Sequence, residues 1–174
     1  MFNLDNWLLA LAAVIIFGTA GWLVSLARRD VSIVDSMWSI MFLIAAVVYA
    51  YFGDIGPRAT LIMLLVAIWS VRLAGYITWR NWGEGEDYRY QNIRRNNSPN
   101  FALKSFYIVF GLQAVLAWFI SLPLMAAISG TRPIGILDLL GVVVWIIGFV
   151  FESLGDLQLA QFKANPENKG KVLQ

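Results

Sequence analysis

Long apolar stretches, each broken by at most one ionisable residue, alternate with short charged connections along the chain. Residues 7–27 (WLLALAAVIIFGTAGWLVSLA) and 106–129 (FYIVFGLQAVLAWFISLPLMAAIS) carry no charge. Each reaches the roughly 20 residues that cross a hydrocarbon core. Residues 59–79 do so with one interruption, Arg72, and residues 134–151 with one, Asp138. Residues 37–52 are short alone, but the preceding VSIVDS brings them to spanning length and places Asp35 near one end. The pattern predicts an all-α, polytopic transmembrane helical bundle with five spans. The first span is not read as a cleaved signal peptide, because MFNLDN holds an acid and no base and the apolar run exceeds a normal signal core. Pro123 is expected to kink the fourth span, leaving neighbouring helices to satisfy the freed carbonyl.

Composition agrees with this pattern. The 174 residues are 59% hydrophobic and 14% charged, against about a quarter charged in soluble domains. Of the 13 Lys and Arg residues, Arg72 lies inside a span, ten fall on connections one and three and the C-terminal tail, and only Arg58 and Arg132 fall on the other side. The positive-inside rule then puts the N-terminus outside and the C-terminus in the cytoplasm, together with a cytoplasmic loop over 81–105. In a bacterium this is a multi-pass protein of the inner, cytoplasmic membrane. A net charge of +2 gives no electrostatic footprint for nucleic acid. The absence of Cys and His excludes disulfides, thiolate chemistry, His-based metal sites and Ser–His triads. No internal repeat or second domain is visible, so 1–174 reads as one membrane domain.

Ionisable groups at membrane depth are costly unless they face protein, water or a ligand, so they mark candidate chemistry. Arg72, Tyr76 and Arg80 recur at four-residue spacing on one helical stripe, flanked by Trp69 and Trp79. Such a cationic, aromatic face suits a phosphate or a planar ring. Arg80 and Trp79 are equally explained as interfacial anchors, whereas Arg72, about two turns inside, calls for a buried partner or ligand. The loop RNWGEGEDYRYQNIRRNNSPN supplies Arg89, Arg94 and Arg95, and its acids at 84, 86 and 87 can orient them. It is not a phosphate-binding fingerprint, since no strand precedes it and neither glycine pattern is complete. A solvated, charge-balanced linker is the alternative, against which stand Trp82, Tyr88 and Tyr90. On the fifth helix, FESLGDLQLAQFK places Glu152, Asp156 and Lys163 within about 40° of one direction. Two carboxylates one turn apart repel unless a cation or donor lies near them. A structural ion pair within the bundle would also serve. Asp35 is either a helix N-cap or an acid with a catalytic role.

The segments SIVDSMW, SVRLAGYITWRNWGEGEDYRY and FESLGDLQLAQFK, followed by NPENKGKV, together resemble the bacterial steroid 5-alpha-reductase-like membrane proteins, a group often labelled as a domain of unknown function. The resemblance runs from about residue 31 onward. It implies a bundle of seven helices that binds NADPH from the cytoplasmic side and reduces an activated carbon–carbon double bond in a lipid such as an enone steroid. Carried over by position, the signature for nicotinamide cofactor contact falls on Glu152, Asp156 and Lys163. The arginine stripe falls on Arg72 and Arg80, and a cofactor-phosphate segment on Arg89 and Tyr90. The positions nearest the group that holds a substrate carbonyl are Asp35 and either Trp69 or Tyr76. The family continues beyond GKV into an Arg-Tyr, His-Pro-Asn-Tyr-like stretch and two more helices, so the resemblance implies a fragment without independent activity.

The expectation is therefore an NADPH-dependent oxidoreductase acting on a lipid-like substrate, with Asp35 or Tyr76 stabilising the developing enolate. Methyl transfer from S-adenosylmethionine in a related fold is the alternative among enzymes. A membrane scaffold or small-molecule transporter with internally paired charges is the alternative outside them.

Overall fold

The computed structural model describes residues 3–53, 55–130, 133–168 and 171. Five helices are long and apolar enough to cross a membrane, so the chain is a multi-pass, all-helical membrane protein. It divides into two compact units, Met1–Pro133 and Ile134–Gln174.

In the first unit, α1 (Leu4–Arg28) starts where the Asn3 side chain accepts a hydrogen bond from the Asn6 amide at 3.1 Å, satisfying one of the donors a helix start leaves unpaired. It ends at Arg29, whose backbone takes the left-handed conformation at φ 54° and donates back to the Ser25 carbonyl. That geometry is unfavourable for a residue with a Cβ and turns the chain sharply into α2 (Ile33–Tyr51). Pro57 opens α3 (Pro57–Arg80) at a position where its missing N–H costs nothing. A short helix, α4 (Tyr88–Asn96), stands in the connection that follows.

The fourth span, Phe101–Ile128, is composite. It runs through α5 (Phe101–Ser105), a π-helical segment over Phe106–Gly111, α6 (Leu112–Ile120) and α7 (Leu122–Ile128). The break at Ser121 lies two residues before Pro123, as expected from the clash of a proline ring with the preceding turn. Buried Ser121 is fixed there, its hydroxyl 2.8 Å from that of Tyr49 on α2 and donating to the Trp118 carbonyl at 2.7 Å.

Small residues bring the backbones together, which is how helices associate in lipid, where the hydrophobic effect gives no drive between them. Ala10, Val14, Ala45, Ala46, Ala114 and Ala117 are buried at the α1, α2 and α6 contacts. A Cβ at Gly21 would fall 2.2 Å from the Met37 methyl and 3.3 Å from the Phe110 ring, so this crossing admits no side chain without displacing Met37. Ser39 and Ser70 lock α2 to α3, each hydroxyl donating to the other residue's carbonyl at 2.9 and 2.8 Å.

The second unit is built on α8 (Ile136–Ala164), a 29-residue helix whose start is held by the Asp138 carboxylate accepting from the Gly135 amide at 2.8 Å. At 1.5 Å per residue it is about 43 Å long, against about 30 Å of hydrocarbon, so its last turns extend past the apolar layer. A 3₁₀ turn, Pro166–Asn168, follows.

Candidate functional site

The densest polar cluster forms where the connection after α3 folds against the α1–α2 turn. Asp87 caps α4 by accepting from the Arg89 amide at 2.9 Å. This cap aims the first turn of α4 at the start of α2, where the Tyr90 hydroxyl donates to Asp35 Oδ1 at 2.5 Å and Arg89 Nη2 donates to Asp35 Oδ2 at 2.7 Å. Arg89 also donates to Asp87, at 3.0 Å from Nε. The residue that starts α2 is Ser32, with no side-chain cap. Asp35 is thus not the N-cap that its position allowed; both of its oxygens are taken by the loop.

A second tie runs in parallel. Glu86 Oε1 accepts from the Val31 amide at 3.0 Å and from Arg94 Nη2 at 2.7 Å, and the Arg94 guanidinium lies 4.5 Å over the Phe101 ring. The acids at 86 and 87 do orient the neighbouring arginines, as the sequence suggested. Helix α4 itself was missed by apolar periodicity, because it has only nine residues and a single buried one, Tyr90. The available signal was Asp87, a good N-cap residue, immediately before YRYQNIRR.

The electrostatics follow from these contacts. Burial pushes the Glu86 carboxyl upward, but the hydrogen bonds from Arg94 and the Val31 amide outweigh it, and the group titrates below its ordinary range. Asp87 is also lowered, chiefly by the hydrogen bond from Arg89, with a further contribution from the charge of Arg80. Burial and then the bond to Asp35 raise the Tyr90 phenol well above its ordinary value, so it keeps its proton and acts as a donor. The Arg89 and Arg94 guanidiniums are held charged by their carboxylate partners.

On α3, Arg72 and Arg80 bracket Tyr76, their guanidinium carbons 5.6 and 5.7 Å from the ring centre. Arg80 Nε donates to Asn81 Oδ1 at 3.1 Å. The expected stripe is therefore formed, and Asp87, which feels both Arg80 and Arg89, links it to the loop cluster. On α8, Glu152 and Asp156 are half-buried and Lys163 is exposed. Among the described residues no group of three or more acids could hold a metal ion.

A cleft of about 900 Å³ opens beside the loop cluster. Its walls come from α1, the start of α2, the last turn of α3 and residues 82–86, and it includes Phe17, Gly21, Met37, Thr78, Asn81 and Trp82. Arg72, Tyr76, Arg80, Arg89 and Tyr90 are not among its lining residues. Thr78 lies about 160° around α3 from both Tyr76 and Arg80, whereas Asn81, about 100° from Arg80 and its hydrogen-bond acceptor, stands where the cleft meets the end of the arginine stripe. Sequence reasoning missed this cleft. Arg28 and Arg29, which line it, entered only as bases that set orientation.

Comparison with known proteins adds a family and one relative of interest. No solved structure matches the chain. An uncharacterized protein of Schizosaccharomyces pombe, C594.04c, is 27% identical, in an alignment that covers 90% of this chain and 48% of that protein. The chain thus spans about half the length of the curated relative it matches. The model of a protein family of unknown function, DUF1295, matches residues 21–174, a range that takes in the Asp35 cluster, the α3 stripe and α8, and the chain belongs to that family.

Proposed function

We propose that the protein is the membrane-bound part of an NADPH-dependent reductase that saturates an activated carbon–carbon double bond in a lipid-like enone. The observation that carries this reading is the α3 stripe, two guanidiniums set against one phenol ring. This donor set fits the cofactor, since guanidiniums take phosphate oxygens in bidentate fashion and an aromatic face takes a planar ring. The resemblance of the motifs and the family membership support it. NADPH supplies the hydride when bound.

The chain's own residues bind and orient. Arg72 and Arg80 would hold cofactor phosphates, and Arg89, half-exposed while anchored on Asp35 and Asp87, keeps donors for another. Glu152, Asp156 and Lys163 are proposed cofactor contacts on the strength of the resemblance. The two catalytic candidates separate by environment. Asp35 already accepts from Tyr90 and Arg89, so it positions the loop, and Tyr76, whose ring lies between Arg72 and Arg80, is proposed as the hydroxyl donor to a developing enolate. With the base-rich end assigned to the cytoplasm by the positive-inside rule, the cofactor would enter from that side of a bacterial inner membrane.

The test is titration of the full-length protein in detergent with NADPH and, separately, with S-adenosylmethionine. Saturable NADPH binding, weakened about tenfold by Arg72→Gln or Arg80→Gln as the loss of a charge-assisted bond requires and by Asp156→Ala, but unchanged by Arg58→Gln at the opposite end of α3, is expected. Binding of S-adenosylmethionine instead, or of neither, would overturn the reading.

A further inference from the structure

The cleft beside the Asp35 cluster differs in character along its length. Along α1 its lining is apolar over Phe17, Ala20, Gly21 and Val24, and ends on Arg28 at the last turn. Its polar lining is charged in both signs, Arg28 and Arg29 against Asp30 and Glu84, and Asp30 Oδ1 also accepts from the amide and hydroxyl of Ser32. From Phe17 to Arg28 is eleven residues of helix, about 16 Å, or half of the roughly 30 Å hydrocarbon layer. The stretch of α1 that lines the cleft is therefore about as long as one leaflet is thick. Helices α1 and α3 both pack on α2, which forms the floor between them.

We propose that this cleft is a binding site for one membrane phospholipid with an ammonium headgroup, its phosphate on Arg28 and Arg29, its ammonium on Glu84 and Asp30, and an acyl chain along Phe17–Val24. A soluble nucleotide would leave the apolar stretch unfilled. A singly anionic head such as phosphoglycerol would satisfy the arginines but face Asp30 and Glu84 without a cation to offset them. Glu86, also a lining residue, is neutralised by Arg94 and adds little to this balance. A primary ammonium brings three N–H donors for the carboxylates, whereas a choline head brings none. The site is separate from the residues proposed to hold the cofactor and stands independently of that proposal.

The experiment is native mass spectrometry of the full-length protein released from nanodiscs of equal phosphatidylethanolamine, phosphatidylglycerol and phosphatidylcholine. Phosphatidylethanolamine should be retained about tenfold over the other two, the factor expected from one charge-assisted hydrogen bond. Glu84→Gln should abolish that preference, and Arg28→Gln should lower retention of every phospholipid. Ala20→Trp, at an exposed cleft position, should block retention, while Leu112→Trp, exposed on α6 and outside the cleft, should not. Val24→Trp, also exposed in the cleft, repeats the test should Ala20→Trp fail to fold. Equal retention of the three heads, or equal effects of Ala20→Trp and Leu112→Trp, would overturn the proposal. NADPH titration of the same samples reports separately on the reductase, and Ala20→Trp should leave it unchanged.

Discussion

Replacing Tyr90 by Phe removes one oxygen from the joint between the loop and α2 and leaves the ring in place. Tyr90 is only 6% exposed, so the hydrogen bond to Asp35 is shielded from water and its acceptor is a carboxylate. Bonds of this kind are worth about 1.5–3 kcal/mol. The other bond to Asp35 comes from Arg89, whose side chain is 52% exposed, and an ion pair that wet contributes about 0–1 kcal/mol. The phenol is therefore the stronger tie, although the guanidinium carries the formal charge. Asp35 keeps Arg89 in the Tyr90→Phe variant, so no carboxylate is stranded and the helices should stay folded. Local opening of α4 should become easier by a factor of roughly 10–100, since about 1.4 kcal/mol is tenfold. Amide hydrogen exchange followed by mass spectrometry reads this directly: amides over 87–96 should exchange faster in Tyr90→Phe, and those of α1 and α3 should not. Arg89→Ala should accelerate the same amides less. Equal acceleration by the two variants, or acceleration spread evenly over the chain, would refute the assignment of the tie to the buried phenol.

Two further outcomes follow from the contacts. Because Glu86 titrates below its unfolded value, its share of the loop's stability is fully present above that unfolded value and is lost as the pH falls through the lower folded one. Acidification below about pH 4, near the ordinary carboxylate value, should thus release 82–96 to limited proteolysis, and Glu86→Gln should show much of that susceptibility at neutral pH, keeping only the smaller acid dependence that Asp87, also lowered, contributes. Ser39→Ala and Ser70→Ala should each cost about 0.6 kcal/mol and no more than about 1.7, the range for interhelical bonds in a membrane protein, measured by reversible unfolding in detergent. A larger loss would mean that the two hydroxyls do more than tie α2 to α3.

The spans were legible because the bilayer imposes a simple rule, a run of about 20 apolar residues, and the chain meets it five times. Pro123 marked its own helix break, since the ring forbids a continuous helix whatever surrounds it. The arginine stripe was equally legible, because residues 72, 76 and 80 share a face by helical period alone and their mutual contacts are local. The loop cluster was legible only in parts. Tyr90 and Asp35 are 55 residues apart, and nothing in either segment states that one turn meets the other; the pairing arises from the Arg29 turn and the Asp87 cap, two backbone events without hydrophobic periodicity. The cleft was least legible, since it is defined by what is missing. Ala20 and Gly21 supply too little side chain to fill the space that α1 borders. In a sequence such residues read as close helix packing, which Gly21 also performs against Met37. The same small side chain that lets α1 approach α2 leaves room beside the contact. Bulk added at Gly21 would push Met37, itself a lining residue, out of its place, so helix packing and cleft shape cannot be altered independently at that crossing.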